Sequence, residues 1–169
     1  PANHWTQDPN QGGGRIIGEG CHFIDFCTFL TGQSPTSVRM KCLPPLGQAP
    51  QDSCVISLTY PDGSLATIHY LANGSKNFPK ERVEVFSAGR VGVLDDFRTL
   101  ELVQESTSTR LHARLAQDKG HRTSWANFLQ AITAGKAPPI PYEQLLAVTR
   151  ASFAAVQSAS SGQTITLDQ

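Results

Sequence analysis

The sequence predicts an α+β fold: an open, predominantly antiparallel sheet with helices packed on one face. Three observations predict it. Apolar residues near the start recur at helical spacing, a long middle stretch alternates with period two between brief turns, and helical spacing returns at the end. Turns that short cannot hold crossover helices, so neighbouring strands must run antiparallel.

The elements follow in order. Residues Pro1 to Gln11 are polar, carry His4, Trp5, Asp8 and Pro9, and show no period, so they read as a lead-in loop. Ile16, Gly20, Phe23, Cys27 and Leu30 then share one helical face, which predicts a helix from Arg15 to Thr31 stopped by Gly32. Val38, Met40 and Cys42 alternate with polar residues before Pro44-Pro45. Val55, Ser57 and Thr59 lead through Asp62-Gly63 into Leu65, Thr67, His69 and Leu71, a hairpin signal because a tight turn's positive backbone angles suit Asp-Gly. Further strands are expected over Arg82 to Ala88, Arg90 to Leu94, Arg98 to Val103 and Thr109 to Leu115. Trp125, Phe128, Leu129 and Ile132 mark a helix before Gly135, and the run from Leu145 to Val156 marks another after Pro138 to Pro141. A short strand, Thr164 to Leu167, can join the sheet edge.

Length and charge narrow the functions. At 169 residues the chain is one domain of ordinary size, too short for a complete two-domain enzyme, and it opens at Pro1 without a methionine, as a fragment would. Fourteen basic residues balance fourteen acidic ones, so no positive field exists to attract nucleic acid or an acidic membrane surface. No apolar run approaches the roughly 20 residues needed to span a bilayer, and no export signal is visible. Charged residues are 17% of the chain against about 25% in typical domains, so some surface is expected to be covered by a partner. Cys21, Cys27, Cys42 and Cys54 lie six, fifteen and twelve residues apart with no C-x-x-C pair, which favours reduced thiols in a cytoplasmic protein over a zinc site.

The chemistry concentrates in Gly18-Glu19-Gly20-Cys21-His22-Phe23-Ile24-Asp25. On a regular helix Glu19, His22 and Asp25 each step by about 60°, placing all three on one polar flank. A carboxylate beside an imidazole is a usable acid/base arrangement, because it orients the ring that takes a proton from a hydroxyl or returns it. The same spacing also arises where a histidine is merely hydrogen-bonded and an aspartate ties down a loop. The triplet Gly12-Gly13-Gly14 lacks the spacing and the β-α-β setting of a dinucleotide fingerprint. His69, His112 and His121 read as packed or solvated residues, and Lys80-Glu81-Arg82 as a solvated strand start.

Trp5-x-x-Asp8-Pro9, followed by Gly12 to Gly14 and Arg15-Ile16-Ile17-Gly18-Glu19-Gly20-Cys21-His22-Phe23-Ile24-Asp25, resembles the start of the C-terminal domain in the glucose-fructose oxidoreductase, inositol dehydrogenase and rhizopine-catabolism (Gfo/Idh/MocA) family. Gly120-His121 and the stretch from Ala154 to Leu167, with Ser158 and Gly162, are similar to the family's usual ending. The resemblance implies that 1–169 form a single substrate-binding and oligomerisation domain whose partner, an N-terminal Rossmann domain, lies outside this chain. It implies an NAD- or NADP-dependent oxidoreductase acting on a sugar, polyol or related hydroxy compound. The cofactor would be bound by the missing domain and not by this fragment, which alone would be inactive. It further implies a homo-oligomer, a twofold dimer foremost, joined through the open sheet face.

Residue by residue, His22 matches the family's histidine or tyrosine acid/base. Trp5, Arg15 and Asp25 belong to the same stretch and are implied to contact substrate. The departure is at Gly18, where many members carry an aspartate; here Glu19 stands next to it and is the candidate second catalytic group. The alternative is a non-catalytic carbohydrate-binding or dimerisation module that kept the scaffold. A metal-dependent hydrolase is the poorest reading, since Glu19, His22 and Asp25 all come from one helix.

Overall fold

The computed structural model describes residues 5, 11–44, 52–113 and 117–168. In chain order it contains a π-helical turn (Ile16–Gly20), α1 (Cys21–Thr31), β1 (Ser37–Cys42), β2 (Cys54–Thr59), β3 (Leu65–Tyr70), β4 (Arg82–Ser87), β5 (Arg90–Asp95), β6 (Thr99–Gln104), β7 (Thr107–His112), α2 (His121–Thr133), α3 (Tyr142–Ser161) and β8 (Ile165–Thr166). All strand pairs are antiparallel, but they form two four-stranded sheets where the sequence reading has one. The ladder breaks between β3 and β4, where Asn73-Gly74 turns the chain and Pro79 cannot donate. The chain accordingly divides into two compact units, Pro1–Asn73 with Ile140–Gln169, and Gly74–Pro139.

The first unit holds a sheet of order β3-β2-β1-β8 with α1 and α3 against one face. Val38 and Met40 of β1, Cys54, Ile56 and Leu58 of β2, and Ile68 of β3 point inward and meet Ile24 of α1 with Val148, Ala151, Ala154 and Ala155 of α3. Small residues on α3 let the helix approach the sheet closely, which is how a 20-residue helix rich in alanine and serine still builds a core. The opposite face of this sheet is polar, with Arg39, Lys41, Ser57, Thr67 and His69 exposed.

Two polar details lock the layers. β8 pairs only with Ser37 and Val38, so the Met40 N–H would be left without a strand partner. The fully buried Ser158 hydroxyl accepts from it at 3.0 Å and donates to the Gln163 carbonyl at 2.5 Å. α1 ends at Gly32, whose left-handed φ of 69° lets its N–H return to the Thr28 carbonyl at 2.9 Å. The expected Asp62-Gly63 turn is present between β2 and β3, with Asp62 accepting from both the Ser64 N–H and its hydroxyl.

The second unit is a meander of order β4-β5-β6-β7 plus α2. β7 begins at Thr107, two residues before the sequence expectation, and 114–116 lie outside the described residues. Register places Val83, Val85, Leu94, Leu100, Leu102 and Leu111 on one face; the other mixes Arg82, Glu84, Asp95, Glu101, Arg110 and His112 with Phe86, Val91, Val93 and Val103. No described residue of this unit is buried.

Candidate functional site

The site begins where the chain enters α1. Gly13 and Gly14 adopt φ of 67° and 88°, values open to glycine, and turn the backbone into Arg15. The next five residues form a π turn: the Cys21 N–H reaches the Ile16 carbonyl five residues back. Gly20 permits this, since a Cβ there would stand 3.3 Å from the Ile16 side chain. A single widened turn inserted in a helix re-aims the side chains on either side of it, and such turns recur at functional sites.

The consequence is that Glu19 leaves the flank that regular helical spacing predicts. Its carboxylate accepts a 2.5 Å hydrogen bond from the Tyr70 hydroxyl, at the end of β3. Tyr70 in turn stacks edge-on against Phe23 of α1, with ring centroids 6.1 Å apart. Burial pushes the Tyr70 phenol above its ordinary range, and the hydrogen bond to Glu19 and that group's charge push it further, with Arg15 opposing. Tyr70 therefore stays protonated and serves as the donor. Arg15 pairs with Asp52 at 3.6 Å, which brings both charges to the same corner.

His22 lies in the first turn of α1 with its side chain exposed. Asp25, one turn on and partly buried, accepts from the Gln144 amide of α3 at 3.4 Å. The structure thus brings Glu19 to Tyr70, Arg15 to Asp52 and Asp25 to Gln144, and records no hydrogen bond between His22 and either Glu19 or Asp25. Trp5 is 61% exposed; Asp8 and Pro9 of the same motif lie outside the described residues. Gly18 is exposed and the nearest atom to a Cβ built on it is the Gly12 carbonyl oxygen at 4.0 Å, so among the described residues none excludes a side chain there.

Tyr70 and Asp52 are absent from the sequence reading. The signal for Tyr70 was there: in β2 and β3 the inward residues are Cys54, Ile56, Leu58 and Ala66, Ile68, Tyr70. The alternation read from the sequence follows the other phase, and a one-residue slip moves every side chain to the opposite face. Cys54-Ile56-Leu58 is more apolar than Val55-Ser57-Thr59, which identifies the buried phase. Asp52 had no such signal.

His69 and His112 are exposed on their strands, His112 contacting the Thr99 hydroxyl, and His121 is exposed at the start of α2. Glu81 is held by Lys119 at 2.7 Å and Arg82 by Glu84 at 2.8 Å, local pairs within the second unit. Among the described residues no group of three metal-binding side chains occurs.

Comparison with known proteins places this architecture. The family model described as the GFO/IDH/MocA C-terminal domain matches residues 1–89, more than half of the chain, and the chain belongs to that family. Solved structures agree on the fold. A levoglucosan dehydrogenase in complex with NADH and levoglucosan superposes with a TM-score of 0.83 at 15% identity, covering 100% of this chain and 54% of that one. An aldose-aldose oxidoreductase from Caulobacter crescentus complexed with glycerol gives 0.77 at 18% identity, covering 99% and 52%. An NAD binding oxidoreductase from Klebsiella pneumoniae gives 0.83 at 15% identity, covering 98% and 54%. The chain spans about half the length of these proteins. No curated protein matches it. No helix among the described residues is long and apolar enough to cross a membrane.

Proposed function

We propose that this chain is the substrate-binding and oligomerisation half of a cytoplasmic NAD- or NADP-dependent oxidoreductase acting on a sugar, polyol or related hydroxy compound. Family membership supports the reaction class, and half-length coverage of its structural relatives supports a second, cofactor-binding domain on the N-terminal side. A dinucleotide pyrophosphate is cradled by a strand, a glycine turn and a helix in that order, an arrangement that the second domain would supply. The nicotinamide supplies the hydride acceptor or donor; the residues here handle the proton and the substrate.

The observation that carries the reading is an exposed histidine at the head of α1, directly after a π turn, in the stretch whose resemblance to the family implies an acid/base there. His22 takes the hydroxyl proton of the carbinol being oxidised, since hydride departs readily only as alkoxide character develops. Glu19, fixed by Tyr70, and Arg15, fixed by Asp52, form a charged corner that orients further substrate hydroxyls, with Asp25 and Trp5 as outlying contacts. The test is turnover of the intact protein on a panel of aldoses, polyols and inositols with NAD and with NADP. Glu19→Gln is expected to lower turnover; unchanged kinetics would place Glu19 outside the site.

The alternative, a non-catalytic carbohydrate-binding or dimerisation module, is favoured by one fact: Glu19 is engaged by Tyr70, and Gly18 offers no replacement carboxylate. Sugar binding without turnover of any panel member would establish it.

Self-association is supported by the second sheet, whose apolar face leaves Leu102 and Leu111 about half exposed. Leu102→Asp is expected to shift the protein towards monomer in light scattering, and an unchanged mass would remove this face from the interface.

A further inference from the structure

Two of the four cysteines, distant in sequence by the spacing rules for metal sites, are brought opposite each other by the fold. Cys42 ends β1 and Cys54 begins β2, and they are direct partners in register. The Leu43 N–H donates to the Ser53 carbonyl at 2.8 Å, which makes 43 and 53 a hydrogen-bonded pair. Pairs alternate in an antiparallel ladder, so Cys42 and Cys54 occupy a non-hydrogen-bonded position. The other edge of β1 agrees: the Met40 N–H points away from β2, to Ser158. Non-hydrogen-bonded partners have Cα atoms about 4.5 Å apart, inside the roughly 4.4–6.8 Å that a disulfide spans.

We propose that Cys42 and Cys54 form a reversible cross-strand disulfide, a redox clasp at the edge of the candidate site. The register continues from Cys54 to Tyr70 on β3, so the bond would lie in the row of inward side chains that ends at the Glu19 contact. It would also tie together the ends of the β1–β2 connection, beside Asp52 and its partner Arg15.

Access and chemistry assign the two sulfurs different roles. Cys42 is half-buried and lines a cleft of about 510 Å³ with Arg15, Arg39, Lys41 and Asp52, whereas Cys54 is 1% exposed. A small anionic disulfide can reach Cys42 past those cations. The Cys42 thiolate attacks one sulfur of oxidised glutathione and expels one glutathione thiolate. The Cys54 thiol then loses its proton to solvent, attacks the Cys42 sulfur and expels the second. Two protein thiols are oxidised by two electrons and one glutathione disulfide is reduced to two thiols. Burial raises both cysteines, but the hydrogen bond between them lowers Cys42 and raises Cys54, which makes Cys42 the first to ionise. Because both are raised, the reaction is slow at neutral pH and accelerates on the alkaline side.

The test is native incubation of the intact protein with oxidised glutathione at mildly alkaline pH, acid quench, alkylation and peptide mapping without reductant. A peptide linked through Cys42 and Cys54, with Cys21 and Cys27 alkylated and the link lost on adding dithiothreitol, is the expected result. Cys42→Ser is expected to leave Cys54 alkylated, and Cys54→Ser to trap glutathione on Cys42. A wild-type protein that keeps glutathione on Cys42, or in which all four thiols remain alkylated, would overturn the pairing. If Cys54→Ser fails to fold, the wild-type and Cys42→Ser maps decide the question alone.

Discussion

The two units solve the problem of a four-stranded antiparallel sheet differently. The sheet of β1, β2, β3 and β8 buries one face under α1 and α3, and every fully buried side chain among the described residues belongs to it. The sheet of β4 to β7 gathers Val83, Val85, Leu94, Leu100, Leu102 and Leu111 on one face yet has no buried residue among those described, while α2 carries Trp125, Phe128, Leu129 and Ile132 with none of them buried. The difference teaches that alternation alone does not make a core. A sheet face becomes an interior only when another element covers it, and where the described residues of the same unit bury nothing the face remains available for a cover. The candidate site follows the same division: the Arg15–Asp52 pair, the π turn and all four cysteines sit in the unit that has an interior to fix them.

The sharpest way to break this comparison is to exchange a histidine in each unit. His22→Ala is expected to reduce turnover of the intact protein about a hundred- to ten-thousand-fold with little change in KM, the usual contribution of a general acid/base, while His112→Ala leaves both nearly unchanged. Equal effects would end the assignment of the chemistry to the first unit.

Next in size is the core. Ile56→Ala, at a fully buried position, is expected to cost about 2–5 kcal/mol in denaturant unfolding, whereas Leu111→Ala, half exposed on the second sheet, changes the stability of a monomer by roughly 0.5 kcal/mol or less. A comparable loss at Leu111 would show that its face is covered after all.

Alkaline pH separates the units without mutation. Burial holds Cys27 up at about 11, and burial with the neighbouring Cys42 holds Cys54 up at about 12, both from an ordinary value of 9.0; burial likewise holds Tyr60 at about 12 from 10.0. The folded state keeps these protons longer than the unfolded chain, so their contribution is complete below pH 9 and is lost as pH rises towards 12. Hydrogen exchange is expected to show amides of β1, β2 and α1 losing protection over that window, beyond the intrinsic rise in exchange rate and before any comparable change in β4 to β7. The reverse order would contradict it.

The smallest expected effect is at Gly18. Its site has open space, its φ is not left-handed, and an acidic group near a helix start is favourable, so Gly18→Asp should change the melting temperature little. If a carboxylate at this position limits the reaction, turnover rises; an unchanged rate would show that it does not.

Much of this molecule was legible in the chain. The order of helix, seven strands, two helices and a last strand follows from periods of 3.6 and 2 and from their punctuation by Gly32, Asp62-Gly63 and Pro138 to Pro141. His22 and Glu19 were visible because titratable residues in a glycine-rich helix start form a dense local pattern. Tyr70 was not, because an alternating strand offers two phases and only the more apolar one faces the core. The division into two sheets was also missed, since period two says that a strand has two faces and not which neighbour it joins.

Local sequence thus determined what each segment is: helix or strand, its apolar side, its stop. Those choices depend on backbone angles and side-chain period within a few residues, and neighbours in sequence decide them. Tertiary structure alone decided what meets. The π turn carried Glu19 away from His22 and onto Tyr70, 51 residues further on, and antiparallel register set Cys42 against Cys54. Both are contacts between segments whose pairing is selected by burying Ile56, Ile68 and Met40 together, a collective energy that no single stretch of the sequence contains.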